Sequence, residues 1–125
     1  VFDFGISGYQ PRWLIGLPSI SAEHGRRLRS LVGRRLTQTW LVWDLNDDEW
    51  FVDCPALLDF DGERVEINHN KFDEVSITWN SADPRQPVTW PSFDDYHPRL
   101  AWRNDTPPEL VALQGQRLRA IEFLE

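Results

Sequence analysis

The Asp61-Gly62 step, set between two short runs of strand-forming residues, constrains this chain more than any other stretch. A two-residue hairpin turn needs positive φ angles at its central positions, and Asp-Gly is among the pairs that accept them. Two antiparallel strands are therefore predicted, Ala56–Phe60 and Arg64–Asn68. On the second, Val65 and Ile67 alternate with Arg64, Glu66 and Asn68, so a period of two puts the first pair in a core and the others in water. With Phe60 opposite Glu63, counting outward places Cys54 opposite His69. A bulge at Pro55, which lacks a ladder donor, would move that partner to Asn68 or Asn70.

The hairpin sits inside a larger meander. Leu36 to Leu45 is apolar on both sides around Trp40-Leu-Val-Trp43, the pattern of a central strand rather than an edge. Asn46-Asp47-Asp48 makes a turn into the next strand, and Ser76-Ile-Thr-Trp79 closes the series. The predicted class is mainly β (α+β), an antiparallel meander or small barrel with one or two short helices. The 125 residues suffice for one domain with a real core, and seven Trp and seven Phe are most simply used to fill it. A single cysteine, Cys54, leaves no internal disulfide and fits a reducing compartment. No run approaches the roughly 18–20 apolar residues of a membrane span. The expectation is a soluble, cytoplasmic protein.

On either side of the meander the pattern is weaker. Residues 1–20 hold Gly5, Gly8, Gly16, Pro11 and Pro18, and read as an irregular arm whose Phe2, Phe4 or Trp13 could pack on a partner. Ser21 to Gly33 reads as a short helix capped by Ser21 and ended by Gly33, with Leu28, Leu31 and Val32 on one face and Arg26, Arg27 and Arg29 off it. Residues 81–99, with four prolines, read as a surface excursion to which Val88-Thr-Trp90 adds a few strand residues. Leu100-Ala-Trp102 is a last short strand, followed by a turn over Asn104–Pro108. The expected organisation is an arm over 1–20, a β-rich unit with its leading helix over 21–109, and a final piece over 110–125.

That final piece carries a repeat. Leu110-x-x-Leu113-x-Gly115-x-Arg117-Leu118 matches Leu28-x-x-Leu31-x-Gly33-x-Arg35-Leu36 at a constant offset of 82 residues. Two expectations follow. Residues 110–125 open a second repeat that is cut off at Glu125, or Leu118–Leu124 folds back as the closing strand of a single unit. These openings, with Leu57-Leu-Asp-Phe-Asp-Gly62 and Ser76-Ile-Thr-Trp-Asn80, resemble a family of uncharacterised small proteins from high-GC bacteria, over roughly residues 28–125. Twelve Arg against one Lys fit that composition. The resemblance implies no chemistry.

Nor does any constellation name a catalytic, cofactor-binding or metal-ligating set. Asp44-x-Asn46-x-Asp48 begins like a calcium loop, but Glu49 stands where Gly is needed and Pro55 where Glu is needed. Cys54, His69 and Asp73 could imitate a thiol–imidazole–carboxylate site, without a nucleophile motif or a Gly-rich oxyanion turn around them. His24, His69 and His97 are scattered, and Gly5-x-x-Gly8 lacks the strand, helix and Lys of a phosphate loop. Charge is uneven, +4 over residues 1–36 and −11 over 37–125. An acidic bulk repels phosphate backbones, which disfavours nucleic acid except through the Arg26–Arg35 cluster, and suits a basic protein partner. The function expected is a non-enzymatic interaction or accessory domain, an immunity-type inhibitor of a basic toxin being one kind. The alternative is a small ligand-binding barrel or thiol enzyme using Cys54 and His69.

Overall fold

The computed structural model describes residues 2–71 and 73–123. Their elements run in the order β1 (Trp13–Ile15), α1 (Leu17–Arg29), β2 (Leu36–Asp44), β3 (Glu49–Trp50), β4 (Ala56–Phe60), β5 (Glu63–Asn70), β6 (Glu74–Trp79), β7 (Leu100–Arg103) and α2 (Pro108–Val111). The seven strands form one open antiparallel sheet, so the meander is confirmed and the sheet does not close as a barrel. The Asp61-Gly62 hairpin has the expected register, from Phe60 opposite Glu63 to Ala56 opposite Ile67, with φ of 47° and 90° at the turn. β2 is central as its apolar run implies: β4 and β3 share one of its edges and β7 lies on the other. Residues 51–55 leave the ladder between β3 and β4, the interruption expected at Pro55.

Several local expectations are corrected. Within residues 1–20, Trp13–Ile15 forms β1 and pairs with β6, and the helix starts at Leu17 rather than Ser21. Gly16, at φ 83°, turns the chain out of β1, and Pro18 sits in the first helical turn, where a missing N–H costs no hydrogen bond. Val32 is exposed, because the helix ends at Arg29 and the chain turns before Val32 can share the face of Leu28 and Leu31. Val88-Thr-Trp90 adds no strand; the Thr89 N–H instead donates to the carbonyl of Gly5 at 2.8 Å.

A further correction concerns which face of the hairpin is wet. Val65 is buried, but Ile67 is 37% exposed, while Glu66 and Asn68 are 0% and 2% exposed. The reason is that both faces of the sheet are covered. Under α1 lies one core of Ile20, Leu28, Leu31, Phe60, Val65 and Ile77. On the opposite face the N-terminal arm and residues 82–102 cover a second, built on Ile6, Tyr9, Val42, Cys54, Leu57 and Ala82 with Trp40, Trp90 and Trp102 against it. Alternation assigns side chains to two faces, and here each face has its own cover.

A carboxylate at the centre of the second face is tolerable only if it is fully hydrogen-bonded. Glu66 accepts from Thr78 Oγ1 at 2.5 Å, from the Ser81 backbone N–H at 2.8 Å, from the Ser81 hydroxyl and from the Ala82 N–H. Beside it Arg64 makes a two-pronged pair with Asp59 and donates to the Ala82 carbonyl, and the Arg64 N–H donates to Asn80 Oδ1. This network fixes the turn at residues 80–82. Removing one side of it strands several buried donors, each worth about 1–3 kcal/mol. Glu66→Ala is expected to lower unfolding free energy by about 3–5 kcal/mol and Glu66→Gln by about 1–3 kcal/mol. Urea midpoints at neutral pH check both values.

Candidate functional site

The turn at 80–82 is the surface on which the N-terminal arm rests. Gly8 has φ 81°, and a Cβ there would lie 2.1 Å from the Ser81 carbonyl oxygen, so only glycine allows this approach. The backbone bonds of Thr89 to Gly5 and of Asp83 to Ser7 hold the arm alongside residues 83–89. Phe4 then reaches Trp90, with ring centroids 5.6 Å apart, and Tyr9, at 5.5 Å; Phe51 meets Trp90 from the other side at 4.9 Å. The irregular arm is thus an aromatic cover for its own sheet, and Phe2 and Phe4 pack within the chain.

Between this arm and the end of β5 lies a groove of about 1040 Å³. Phe2, Phe4, Tyr9, Trp13 and Trp90 supply its aromatic walls, and Asp3, Asp53 and His69 stand among its polar lining; among the described residues no Lys or Arg lines it. Asn68 ties the walls together. Its side-chain N–H₂ donates to the Asp53 carbonyl at 3.2 Å and to the Tyr9 hydroxyl at 3.4 Å. Burial pushes the Tyr9 phenol up to about 12 despite the hydrogen bonds of Asn68 and Ser76, so the ring stays neutral.

The negative character of the rim extends beyond the groove. The Tyr96 phenol is raised first by desolvation and then by the carboxylates of Asp44, Asp53 and Asp47. Asp44, Asp47 and Glu49 bring carboxylate oxygens within 4.8 Å of one another at the β2–β3 turn. One Asp44 oxygen is already used by that turn, accepting from the Asn46 N–H at 2.9 Å and the Asp47 N–H at 3.3 Å. The hairpin turn expected at Asn46–Asp48 is what these acids build.

Cys54, His69 and Asp73 are not brought together as a nucleophilic site. The β4–β5 ladder ends at the Ala56–Ile67 pair, two residues short of setting Cys54 opposite His69. Cys54 is 1% exposed inside the second core, whereas His69 and Asp73 are exposed. Desolvation, with a smaller contribution from Asp53, pushes the Cys54 thiol up to about 12, the opposite of what a reactive thiolate requires. His24, on the buried face of α1, accepts from the Trp79 indole N–H through Nδ1 at 3.2 Å and is shifted down by burial. In the Arg26–Arg35 cluster, Arg27 lies 4.4 Å over the Trp79 ring and donates to Glu63, and Arg35 donates to the Gly115 carbonyl at 2.7 Å.

The groove is the feature that strand patterning did not locate. Its signals in the chain are the Gly5-x-x-Gly8 spacing, which allows close approach of backbones, and two polar residues, Glu66 and Asn68, on a strand with the character of a core.

Burial of the Cys54 thiol and the Tyr9 phenol makes stability depend on pH. Both folded-state values lie above the ordinary 9.0 and 10.0, so their contribution is complete below pH 9 and is lost as pH rises towards 12. A thiol reagent at pH 8 is expected to label Cys54 only at the rate of unfolding. Tyr9→Phe should move the alkaline unfolding midpoint upward. Labelling kinetics with and without urea, and melts between pH 8 and 12, check both expectations.

Compared with known proteins, the chain matches no protein-family model, no curated protein and no solved structure.

Proposed function

We propose that this chain is a non-enzymatic interaction domain whose groove takes a basic segment of a protein partner. The observation that carries this reading is the lining itself, which among the described residues has five aromatic side chains, two aspartates and no Lys or Arg. Aromatic faces carry partial negative charge and attract Lys or Arg side chains, most strongly where water is excluded. Asp3 and Asp53 supply the full charges at the rim, and the acids of the β2–β3 turn continue the same sign outward. An immunity-type inhibitor that neutralises a basic toxin is one protein of this description, and a cytoplasmic setting suits it. A thiol enzyme finds no support in a Cys54 that is buried and fully protonated. We also read residues 28–36 and 110–118 as two copies of one motif, on the matched spacing of Leu, Gly and Arg.

Two of the groove's walls are tryptophans, so binding is visible in intrinsic fluorescence. Titration with Arg- and Lys-rich peptides is expected to shift the emission saturably, with affinity falling as salt rises. Asp53→Asn, an exposed change outside the core, should weaken the best peptide by about three- to thirtyfold, the range for losing one partly desolvated charge contact. Acidic peptides of equal length should not bind. A response equal for acidic and basic peptides, or one unmoved by Asp53→Asn, would remove the proposal.

A further inference from the structure

The two copies of the Leu-x-x-Leu-x-Gly-x-Arg-Leu pattern do not merely resemble each other; they pair with each other. Arg35 and Arg117 face one another as an antiparallel bridge. Around that point the backbone–backbone bonds between the two copies come in twins, while the Arg35 N–H itself donates to Asp61 Oδ2 at 3.0 Å. The Gly33 N–H donates to the Leu118 carbonyl and the Gly115 N–H to the Leu36 carbonyl, both at 2.7 Å. The Leu36 N–H donates to Gln116 O at 2.8 Å and the Leu118 N–H to Arg34 O at 2.9 Å. Side chains follow the same rule: Arg35 Nη1 reaches the Gly115 carbonyl at 2.7 Å and Arg117 Nη1 the Gly33 carbonyl at 2.8 Å.

The preceding turns match too. Leu31 N–H to Leu28 O and Arg34 N–H to Leu31 O have counterparts in Leu113 N–H to Leu110 O and Gln116 N–H to Leu113 O. Gly33 and Gly115 share a φ of 91°. Beyond the bridge β2 runs on as a strand, whereas residues 118–123 have no strand structure, yet each segment reaches the other motif. Thr39 lies beneath Gln114, whose Nε2 donates to its hydroxyl at 3.2 Å, while Ile121, the residue 82 positions later, packs on the core that holds Leu28 and Leu31.

A seam in which residue i meets j and j meets i is the geometry of a two-fold interface. Here both halves also share their pattern residues: Leu28/Leu110, Leu31/Leu113, Gly33/Gly115, Arg35/Arg117 and Leu36/Leu118. The surface presented by Leu28–Leu36 is therefore complementary to its own pattern. We propose that Leu28–Leu36 is a self-pairing element which, once Leu110–Leu118 leaves the seam, takes the same element of a second copy of this chain across a true two-fold at Arg35. Residues 110–118 are then an internal cap on the β2 edge that keeps the chain from pairing with itself. The element lies on the α1 side of the sheet, away from the aromatic groove, so this inference does not rest on the binding reading above.

Loosening the cap while leaving Leu28–Leu36 intact tests the proposal. Gly115→Val puts a β-branched residue at a positive φ with open space around its Cβ, so it acts through backbone strain alone, and Leu118→Asp removes the apolar anchor of the same segment. In sedimentation equilibrium the wild-type chain is expected at monomer mass, and the full-length Gly115→Val/Leu118→Asp variant is expected to approach twice that mass as concentration rises. Adding Gly33→Val to the variant should return it to a monomer. A variant that keeps its β-sheet circular dichroism and stays monomeric at every concentration overturns the proposal. So does a dimer of the wild-type chain that the variant abolishes, because that pattern belongs to exchange of the C-terminal segment between copies.

Should the double variant fail to fold, a peptide of residues 26–38 added in excess to the wild-type chain asks the same question. It is expected to enter the seam, seen as faster hydrogen exchange at the Leu118 amide, and no change in that exchange overturns the proposal.

Discussion

One buried carboxylate sets the terms for the rest of the molecule. Glu66 lies at the middle of a sheet strand with no exposed surface, and its oxygens gather two backbone N–H groups and two hydroxyls. A charge in that position is unfavourable unless every lone pair is met, and meeting them requires the chain after β6 to turn at Ser81 and Ala82. That turn gives the Gly8 backbone its resting surface and leads into the segment against which Gly5 and Phe4 pack. The aromatic cover of the second face, and the groove at its margin, both follow from a polar anchor. An apolar residue at position 66 would fill the same volume and leave the turn undirected.

This explains which parts of the architecture could be read from the chain. The Asp61-Gly62 hairpin is legible because its turn chemistry is local: two positive φ angles, carried by the two residues between the strands. β2 is legible because a strand paired on both edges and covered on both faces needs apolar side chains on both sides, and Trp40-Leu-Val-Trp43 has them. The burial of Glu66 and Asn68 was not legible. Alternation shows that these residues share a face, but whether that face meets water depends on a segment some sixty residues away in sequence. Residues 1–20 failed for the related reason that Gly5 and Gly8 look like breakers until the backbones they lie against are known. The helix start is not legible because Ser21 is a good cap in isolation, while Gly16 and Pro18 begin the helix a turn earlier by geometry rather than by side-chain hydrogen bonding.

Charge is distributed with the same logic. The basic N-terminal third does not stand apart from the acidic remainder, since Arg27 of α1 meets Glu63 of β5, and within that third Arg12 meets Glu23 at 3.2 Å. These exposed pairs are each worth little in stability, yet they neutralise the cationic face locally. The cleft between Arg12, Arg27 and Trp79, an otherwise inviting seat for an anion, has both its arginines already paired. Among the described residues the groove on the other side of the arm has no such compensation, since its aspartates line it without a Lys or Arg side chain. Uncompensated charge beside aromatic faces marks the surface where an outside cation gains most.

The seam at Arg35 and the groove beneath the arm share β2–β6 as a frame but occupy opposite faces of it. That separation has a physical consequence. Events at the seam rearrange the end of α1, the start of β2 and the C-terminal segment, whereas the groove is held by Asn68, Glu66 and the glycine contacts of the arm. Coupling between the two would have to pass through the sheet itself, whose ladder pairs β4–β5 and β5–β6 carry side chains of both cores on alternate residues. A packed sheet transmits strain only if it has a second arrangement to adopt, and the polar network around Glu66 leaves it one. Self-pairing at one face and capture of a basic segment at the other are therefore expected to be additive, with neither changing the affinity of the other.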